Sequence, residues 1–324
     1  MKELAFIFII ITVSMQAQNH APAAGQPGST AIPANSQLFV AWATGIDVQL
    51  GFIDISDPTA QDSGSNYASY GSPEDAIGPA TNQVVSLGDA GEAILTFNIP
   101  IVDGAGFDFA VFENSFSDTF LELAFVEVSS DGINYFRFPS HSATQTETQI
   151  GSFGNSDPTY INNLAGKYRG MFGTPFDISE IADDAMLDKN SITHIKIIDV
   201  VGSVDSNYAR YDSFGNSIND PFTTPFYSGG FDLDAIGVIN QQTLGVKHNN
   251  DLTFSVYPNP VLNKLYINSV LAVDLEIYDL NGRIVLTVKQ SKNEGIDVSN
   301  LQKGFYIISI TSEGKTSRIK FIKQ

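Results

Sequence analysis

The chain of 324 residues contains no cysteine, which removes disulfide frameworks, thiolate metal centres and thiol nucleophiles together. Histidine is nearly as scarce. His20, His141, His194 and His248 are scattered, and none stands in the His-Glu-x-x-His spacing of a zinc hydrolase. No Gly-x-Ser-x-Gly elbow, phosphate-binding Gly-x-x-x-x-Gly-Lys-Ser/Thr loop or dinucleotide fingerprint occurs, so the common nucleophile and nucleotide chemistries lack support. An EF-hand loop is missing as well. No stretch approaches the roughly twenty apolar residues of a membrane-spanning helix. The single tryptophan, Trp42, lies in the apolar run 39–43 and reads as part of a core strand.

Basic residues are the other scarcity. The chain has 17 Lys and Arg against 36 Asp and Glu, a net charge of −19. Residues 253–324 hold 9 against 6, a net of +3, so residues 1–252 hold 8 against 30, a net of −22. Such a field repels phosphates and anionic lipid surfaces, which argues against nucleic acid and membranes as partners. Solubility outside a cell is the plain account of the excess. Aspartates in loops and at strand ends are also what a hard cation needs.

What is present begins with Met1, Lys2 and Glu3, the apolar run 4–13 and the small or polar residues 14–18. This pattern reads as a signal peptide over residues 1–17, with cleavage after about Ala17. Residues 18–36, rich in Ala, Pro, Gly and Ser without periodicity, read as a linker, and the polar stretch 241–252 as a second one. Between them lies an acidic domain, residues 37–240. Strand patterns occur at 92–97, 107–112, 121–129, 133–138, 193–200 and 231–239, and only 179–187 reads as a short helix. Gly-rich and Asp-rich turns at irregular spacing predict an all-β fold, a jelly-roll-like β-sandwich with long loops. Beyond residue 253, alternation at 275–279, 283–288 and 306–310, with Asn281-Gly282 as a hairpin turn, predicts a small immunoglobulin-like β-sandwich.

Four segments of that last region occur in a telling order. They are 254–261 with Tyr257, Pro258, Asn259 and Pro260, then 273–283 ending in Asn281, Gly282 and Arg283, then 301–308 with Gly304 and Tyr306, and finally 320–324. Residues 253–324 thereby resemble the type A C-terminal sorting domain of the type IX secretion system. The resemblance implies passage through the periplasm, recognition by the type IX secretion machinery, and delivery to the outer cell surface or the medium.

A second set of segments, 70–78, 85–91, 125–136 with its Val-Ser-Ser-Asp-Gly turn, and 229–235, makes residues 65–240 resemble bacterial cell-surface domains related to the discoidin, or galactose-binding-like, jelly rolls. That resemblance implies a fold, with glycan binding through end loops and a structural calcium ion as common family properties. The insertion 141–188 departs from a minimal jelly roll and leaves the binding face open.

Period two along Phe231, Asp232, Leu233 and Asp234 sets both carboxylates on one face, where they repel unless solvated or bridged by a cation. Glu74 and Asp75, in a loop bounded by Gly and Pro, are the candidates to complete a calcium site with Asp232 and Asp234. The plain alternative has Asp232 capping a turn and Asp234 in water. Glu113 and Glu122 are available as a carboxylate pair for glycoside hydrolysis, against a plainer reading as solvated strand ends. Tyr160, Tyr168, Phe172, Tyr208, Tyr211 and Phe214, in polar loops, could stack on sugars or cover the core. The expectation is a secreted or surface-bound, non-catalytic binding or adhesion protein, with glycan as a candidate ligand. Alternatives are a polysaccharide hydrolase and a nutrient-capture protein beside an outer-membrane receptor.

Overall fold

The computed structural model describes residues 20–242, 254–268, 273–290, 294–312 and 315–324. The expected signal peptide and most of the expected second linker lie outside these residues. The chain divides into two compact units, Met1–Thr243 and Leu244–Gln324. Both are built from antiparallel β-sheet. Helical structure among the described residues is confined to three short turns, Pro73–Ala76, Pro158–Tyr160 and Ile178–Glu180.

In the first unit, one sheet orders its strands as Ile32–Pro33, Phe172–Phe176, Phe109–Glu113, Asp232–Val238 and Ala41–Trp42, with Val85–Ser86 also pairing to Asp232–Val238. The second orders them as Gly45–Gln49, Glu92–Ile101, Ile192–Asp199, Ala124–Ser129 and Phe136–Arg137. One continuous core takes Phe109, Val111, Phe176, Leu233 and Ile236 from the first sheet and Leu95, Val126, Val128, Ile195 and Ile197 from the second. The unit is thus a β-sandwich whose faces meet through β-branched and aromatic side chains. Phe109 lies 5.3 Å from Phe176 and 5.8 Å from Phe138, centroid to centroid, and each such buried ring contributes roughly 1.5–3 kcal/mol of burial energy.

Three local expectations are corrected. Residues 179–187 do not form a helix: Asp177 accepts from Ser179 N at 3.0 Å, one short turn follows, and the rest is irregular. With Ile178, Ile181 and Leu187 all buried, tertiary burial decides this segment over helical propensity. The expected strand 133–138 shrinks to Phe136–Arg137, because Asp131 accepts from Ile133 N and Asn134 N, both at 2.8 Å, and holds the preceding residues in an Asx turn. Residues 20–36 are not a free linker. Ile32 and Pro33 pair with Gly173 and Phe172, Ala24 and Ile32 are buried, and Thr30 Oγ1 lies 2.8 Å from the Tyr168 hydroxyl.

Buried aspartates fasten the long loops. Asp199 accepts from the backbone N–H groups of Ala90, Val201 and Phe231 at 2.9, 2.8 and 2.9 Å. Asp108 accepts from Gly104 and Ile178, Asp212 from Ser142, Phe214 and Asn216, and Asp220 from Leu123. Part of the acidic excess is therefore internal scaffolding, since loops supply orphan backbone donors that a buried carboxylate satisfies.

The second unit has a sheet ordered Ile284–Gln290, Val273–Tyr278, Gly304–Ser312 and Lys315–Lys323, and a smaller one ordered Val256–Tyr257, Lys264–Ile267 and Ile296–Asp297. Leu265, Ile267, Leu275, Ile277, Ile308, Ile310 and Phe321 form its core. The Asn281-Gly282 hairpin forms as expected. Gly282 takes φ +77°, and Asp279 Oδ1 accepts from Asn281 N and Arg283 N, both at 3.0 Å.

Candidate functional site

The largest departure from expectation lies where strand Phe109–Glu113 ends and strand Asp232–Val238 begins. Register places Leu233 opposite Glu113 and Asp232 opposite Ser86. Glu122 arrives from the segment before strand Ala124–Ser129, and the three carboxylates offer oxygens that all lie within 4.8 Å of one another. They are not solvated strand ends: Glu113, Glu122 and Asp232 are 1%, 9% and 8% exposed.

Their backbone is held closely. Asp220 Oδ2 accepts from Leu123 N at 2.8 Å beside Glu122, and Asp199 Oδ1 accepts from Phe231 N at 2.9 Å beside Asp232. Gly166, at φ +81°, lies so near that a Cβ there would meet the Glu122 carbonyl oxygen at 1.8 Å, so only glycine fits.

Side-chain partners are unequally shared. Glu113 Oε2 accepts from Ser115 N at 2.7 Å, and the Ser86 hydroxyl donates to Asp232 Oδ1. The Asn114 amide lies 3.3 Å from Glu113 Oε1 and 3.2 Å from Asp232 Oδ2, and with its nitrogen toward them it donates to both. Glu122 has no donor among the described residues, and no ion pair there includes any of the three. Burial first, and then the neighbouring charges, hold Glu113 and Glu122 well above the usual carboxylate range. Burial pushes Asp232 up to about 7, against the pull of its bonds from Ser86 and Asn114.

Glu122 and Asp232 face a cavity of about 440 Å³. Its walls carry the hydroxyls of Ser152, Thr224 and Ser228 and an arc of aromatic rings. Phe116 stacks on Phe120 at 4.6 Å, Phe120 lies 6.4 Å from Phe153, and Phe153 lies 5.5 Å from Phe226. Phe116 and Phe153 are 76% and 70% exposed. Tyr70 and Tyr227 meet edge to face at 5.7 Å across the same opening.

Of the four residues expected to bind calcium, only Asp232 joins this cluster. Asp234 accepts from Thr81 N and Asn82 N at 2.9 and 3.1 Å and so fastens the neighbouring loop. Asp75 accepts from Ser72 N at 2.8 Å at the start of its short turn, and Glu74 is exposed. The six loop aromatics singled out earlier lie outside the cavity wall. Tyr168 is buried, and Phe172 is in a strand beneath the Arg169 guanidinium at 4.5 Å. Tyr211 and Phe214 are exposed elsewhere, Phe214 lying edge-on to His141 at 5.0 Å. The missed rings carried one signal in sequence: Phe116, Phe120 and Phe153 stand in Ser-, Asp- and Gly-rich stretches with no strand alternation.

In the second unit, three of the four sorting segments, 254–261, 301–308 and 320–324, meet at the last strand, while Asn281, Gly282 and Arg283 form the hairpin at the other side of the sheet. Asn259 Nδ2 donates to Lys320 O at 3.2 Å, and Asn259 Oδ1 accepts from Ile322 N at 2.9 Å. Val261 bridges to Lys323, Tyr257 stacks on Tyr266 at 5.7 Å, and Tyr306 stacks on Phe321 at 5.6 Å. Residues 255–324 match the family described as "Secretion system C-terminal sorting domain". This region is a type IX sorting domain, which marks the chain for the type IX secretion machinery and for export to the cell surface or the medium.

No curated protein matches the chain. Among solved structures, β-glucuronidase from Ruminococcus gnavus in complex with an N1-substituted uronic isofagomine is similar at 13% identity over 89% of this chain and 47% of that one, with a TM-score of 0.22. The same organism's enzyme in complex with D-glucuronic acid gives 12%, 89%, 46% and 0.23. The chain spans under half the length of those structures, and a likeness at this level carries no argument about activity. No helix among the described residues is long and apolar enough to cross a membrane.

Proposed function

We propose that the exported protein is a non-catalytic binding module that takes an extracellular glycan in the cavity over Glu122 and Asp232. The supporting observation is the arc of Phe116, Phe120, Phe153 and Phe226 beside a floor of carboxylates and hydroxyls. A sugar ring has an apolar C–H face and a polar edge, so it matches stacked rings on one side and hydrogen-bonding groups on the other. Hydrolysis calls for two carboxyl groups flanking the scissile bond, about 5–5.5 or 6.5–9.5 Å apart. Here the oxygens of three carboxylates lie within 4.8 Å of one another, a cluster suited to holding one shared ligand. A polysaccharide hydrolase is the second reading, favoured by one feature: Glu113 and Glu122 keep their protons above the ordinary range, as a general acid must.

The test is a glycan array probed with the labelled mature chain, wild type against Phe116→Ala/Phe153→Ala. Both rings are largely exposed, so their loss leaves the core intact. Binding that disappears in the double variant supports the reading; no binding, or binding that the variant retains, overturns it. Release of new reducing ends from a bound glycan favours the hydrolase.

A further inference from the structure

We infer that Glu113, Glu122 and Asp232 hold a calcium ion at the floor of the aromatic pocket, and that the ion takes vicinal hydroxyls of a neutral saccharide into its coordination shell. The first ground is geometric. A calcium ion binds oxygens at roughly 2.4 Å, so two ligands on opposite sides of it lie about 4.8 Å apart. The three carboxylates fall within that span while coming from three separated parts of the chain.

The second ground is Glu122. Its side chain is more than nine-tenths buried, lines the cavity, and has no hydrogen-bond donor among the described residues. A buried carboxylate without a donor or cation costs several kcal/mol in desolvation. Elsewhere in this unit the fold supplies buried carboxylates with two or three backbone donors, as at Asp199, Asp212 and Asp234. At Glu122 the missing partner is on the cavity side. Asn114 adds a fourth oxygen when its amide turns Oδ1 toward Glu113 and Asp232.

The donor set selects the ion. All donors are hard oxygens, and no histidine lines the cavity, so zinc and copper are poorly served. Calcium takes six to eight oxygens, so three carboxylates each binding through one oxygen and one amide leave at least two positions for ligands from the cavity. Two adjacent positions suit a vicinal diol, whose apolar face would then rest on the phenylalanine arc. Three carboxylates against one divalent ion leave a charge of −1, and residues 1–252 carry −22, so a neutral saccharide fits better than a polyanion.

The cation stands on the cluster itself; its role with a saccharide rests on the binding reading above. Isothermal titration of the full mature chain with calcium chloride, after chelator treatment and without any glycan, tests the first part. One calcium per chain is expected, with affinity at least ten-fold weaker in Glu122→Gln and in Asp232→Asn and unchanged in Asp75→Asn. No calcium binding, or Glu122→Gln binding within three-fold of wild type, overturns the site. Misfolding is separated by melting in chelator, where Glu122→Gln should be no less stable than wild type because it removes a repelling charge, yet should lose the calcium-induced rise. A glycan array run with and without chelator tests the second part. Calcium bound but an array signal unaffected by chelator overturns the saccharide contact alone; calcium bound with no array signal at all overturns the glycan reading and leaves the cation site standing.

Discussion

The two units solve the same problem, how to close an antiparallel β-structure, with opposite chemistry. Among the described residues, ten acids of the first are buried, Asp54, Asp89, Asp108, Glu113, Glu122, Asp199, Asp212, Asp220, Asp232 and Asp234, and none of the second. Among the described residues of the second unit, carboxylates that hold turns sit outside the core: Asp279, half-buried, takes the hairpin N–H groups, and Asp297 is exposed. The first carries loops too long for that, and fixes them by folding carboxylates inward onto backbone N–H groups. The acidic residues therefore play different parts in the two regions: solvated turns in one, and in part internal fastening in the other.

Deleting residues 253–324 should separate the two most completely. The first unit should still be made and folded, but it should be missing from the cell surface and medium, as read by fractionation and immunoblot. Undiminished export of the truncated chain would refute the assignment of the sorting domain. Next in size is the loss of an inward fastening. Asp199→Ala leaves three buried backbone donors without an acceptor and should cost about 3 kcal/mol or more in urea unfolding. Asp297→Ala, which frees the Ser299 N–H and hydroxyl at an exposed turn where water can replace the carboxylate, should scarcely move the transition of the second unit.

The units should also respond to pH with opposite sign. Burial first, and for Asp89 also repulsion from Asp199, hold both carboxyls above the ordinary range. Asp199 has three backbone donors and Asp89 only the Ile55 N–H, so Asp89 is the one that keeps its proton. A folded-state pKa raised in this way gives stability that is complete below about pH 4 and is lost as pH rises toward the folded value. Asp279 and Asp297 are depressed by backbone and side-chain donors, so what they contribute is present above about pH 4 and is lost below it. Calorimetry of the full chain should show the first unit's transition rising between pH 8 and pH 5, and Asp89→Asn should flatten that slope. A wild-type slope of the other sign would break the assignment. A modest effect is expected of Asn259→Ala, which removes two exposed bonds to the last strand and should cost the second unit about 1 kcal/mol by thermal melting.

The second unit was readable because its signals are local. Asn281-Gly282 fixes a hairpin from adjacent residues, and the alternation on either side sets the register without reference to distant chain. The sandwich of the first unit was readable as a class for the same reason. Its pocket was not, because Glu113, Glu122 and Asp232 meet only through strand order, and nothing near Glu113 or Glu122 distinguishes them from solvated strand ends. Period two singled out Asp232, which joins the carboxylate cluster, but it could not show that the loop at residues 81–82 claims Asp234 or that Asp75 turns back on Ser72. Composition misjudged residues 20–36 because Ala, Pro, Gly and Ser describe a docked edge as readily as a tether.

That docked edge has a consequence for proteins displayed side by side. An open β-sheet rim offers unpaired N–H and C=O groups to any neighbour, and crowding makes strand-by-strand polymerisation a hazard. Here the start of the rim strand, at Phe172 and Gly173, is taken by Ile32–Pro33, a piece only two residues long. Proline has no N–H to donate outward, so the sheet ends on a segment too short and too poorly equipped to template another strand. Covering that stretch of rim with residues of the same chain removes one place where a second strand could add.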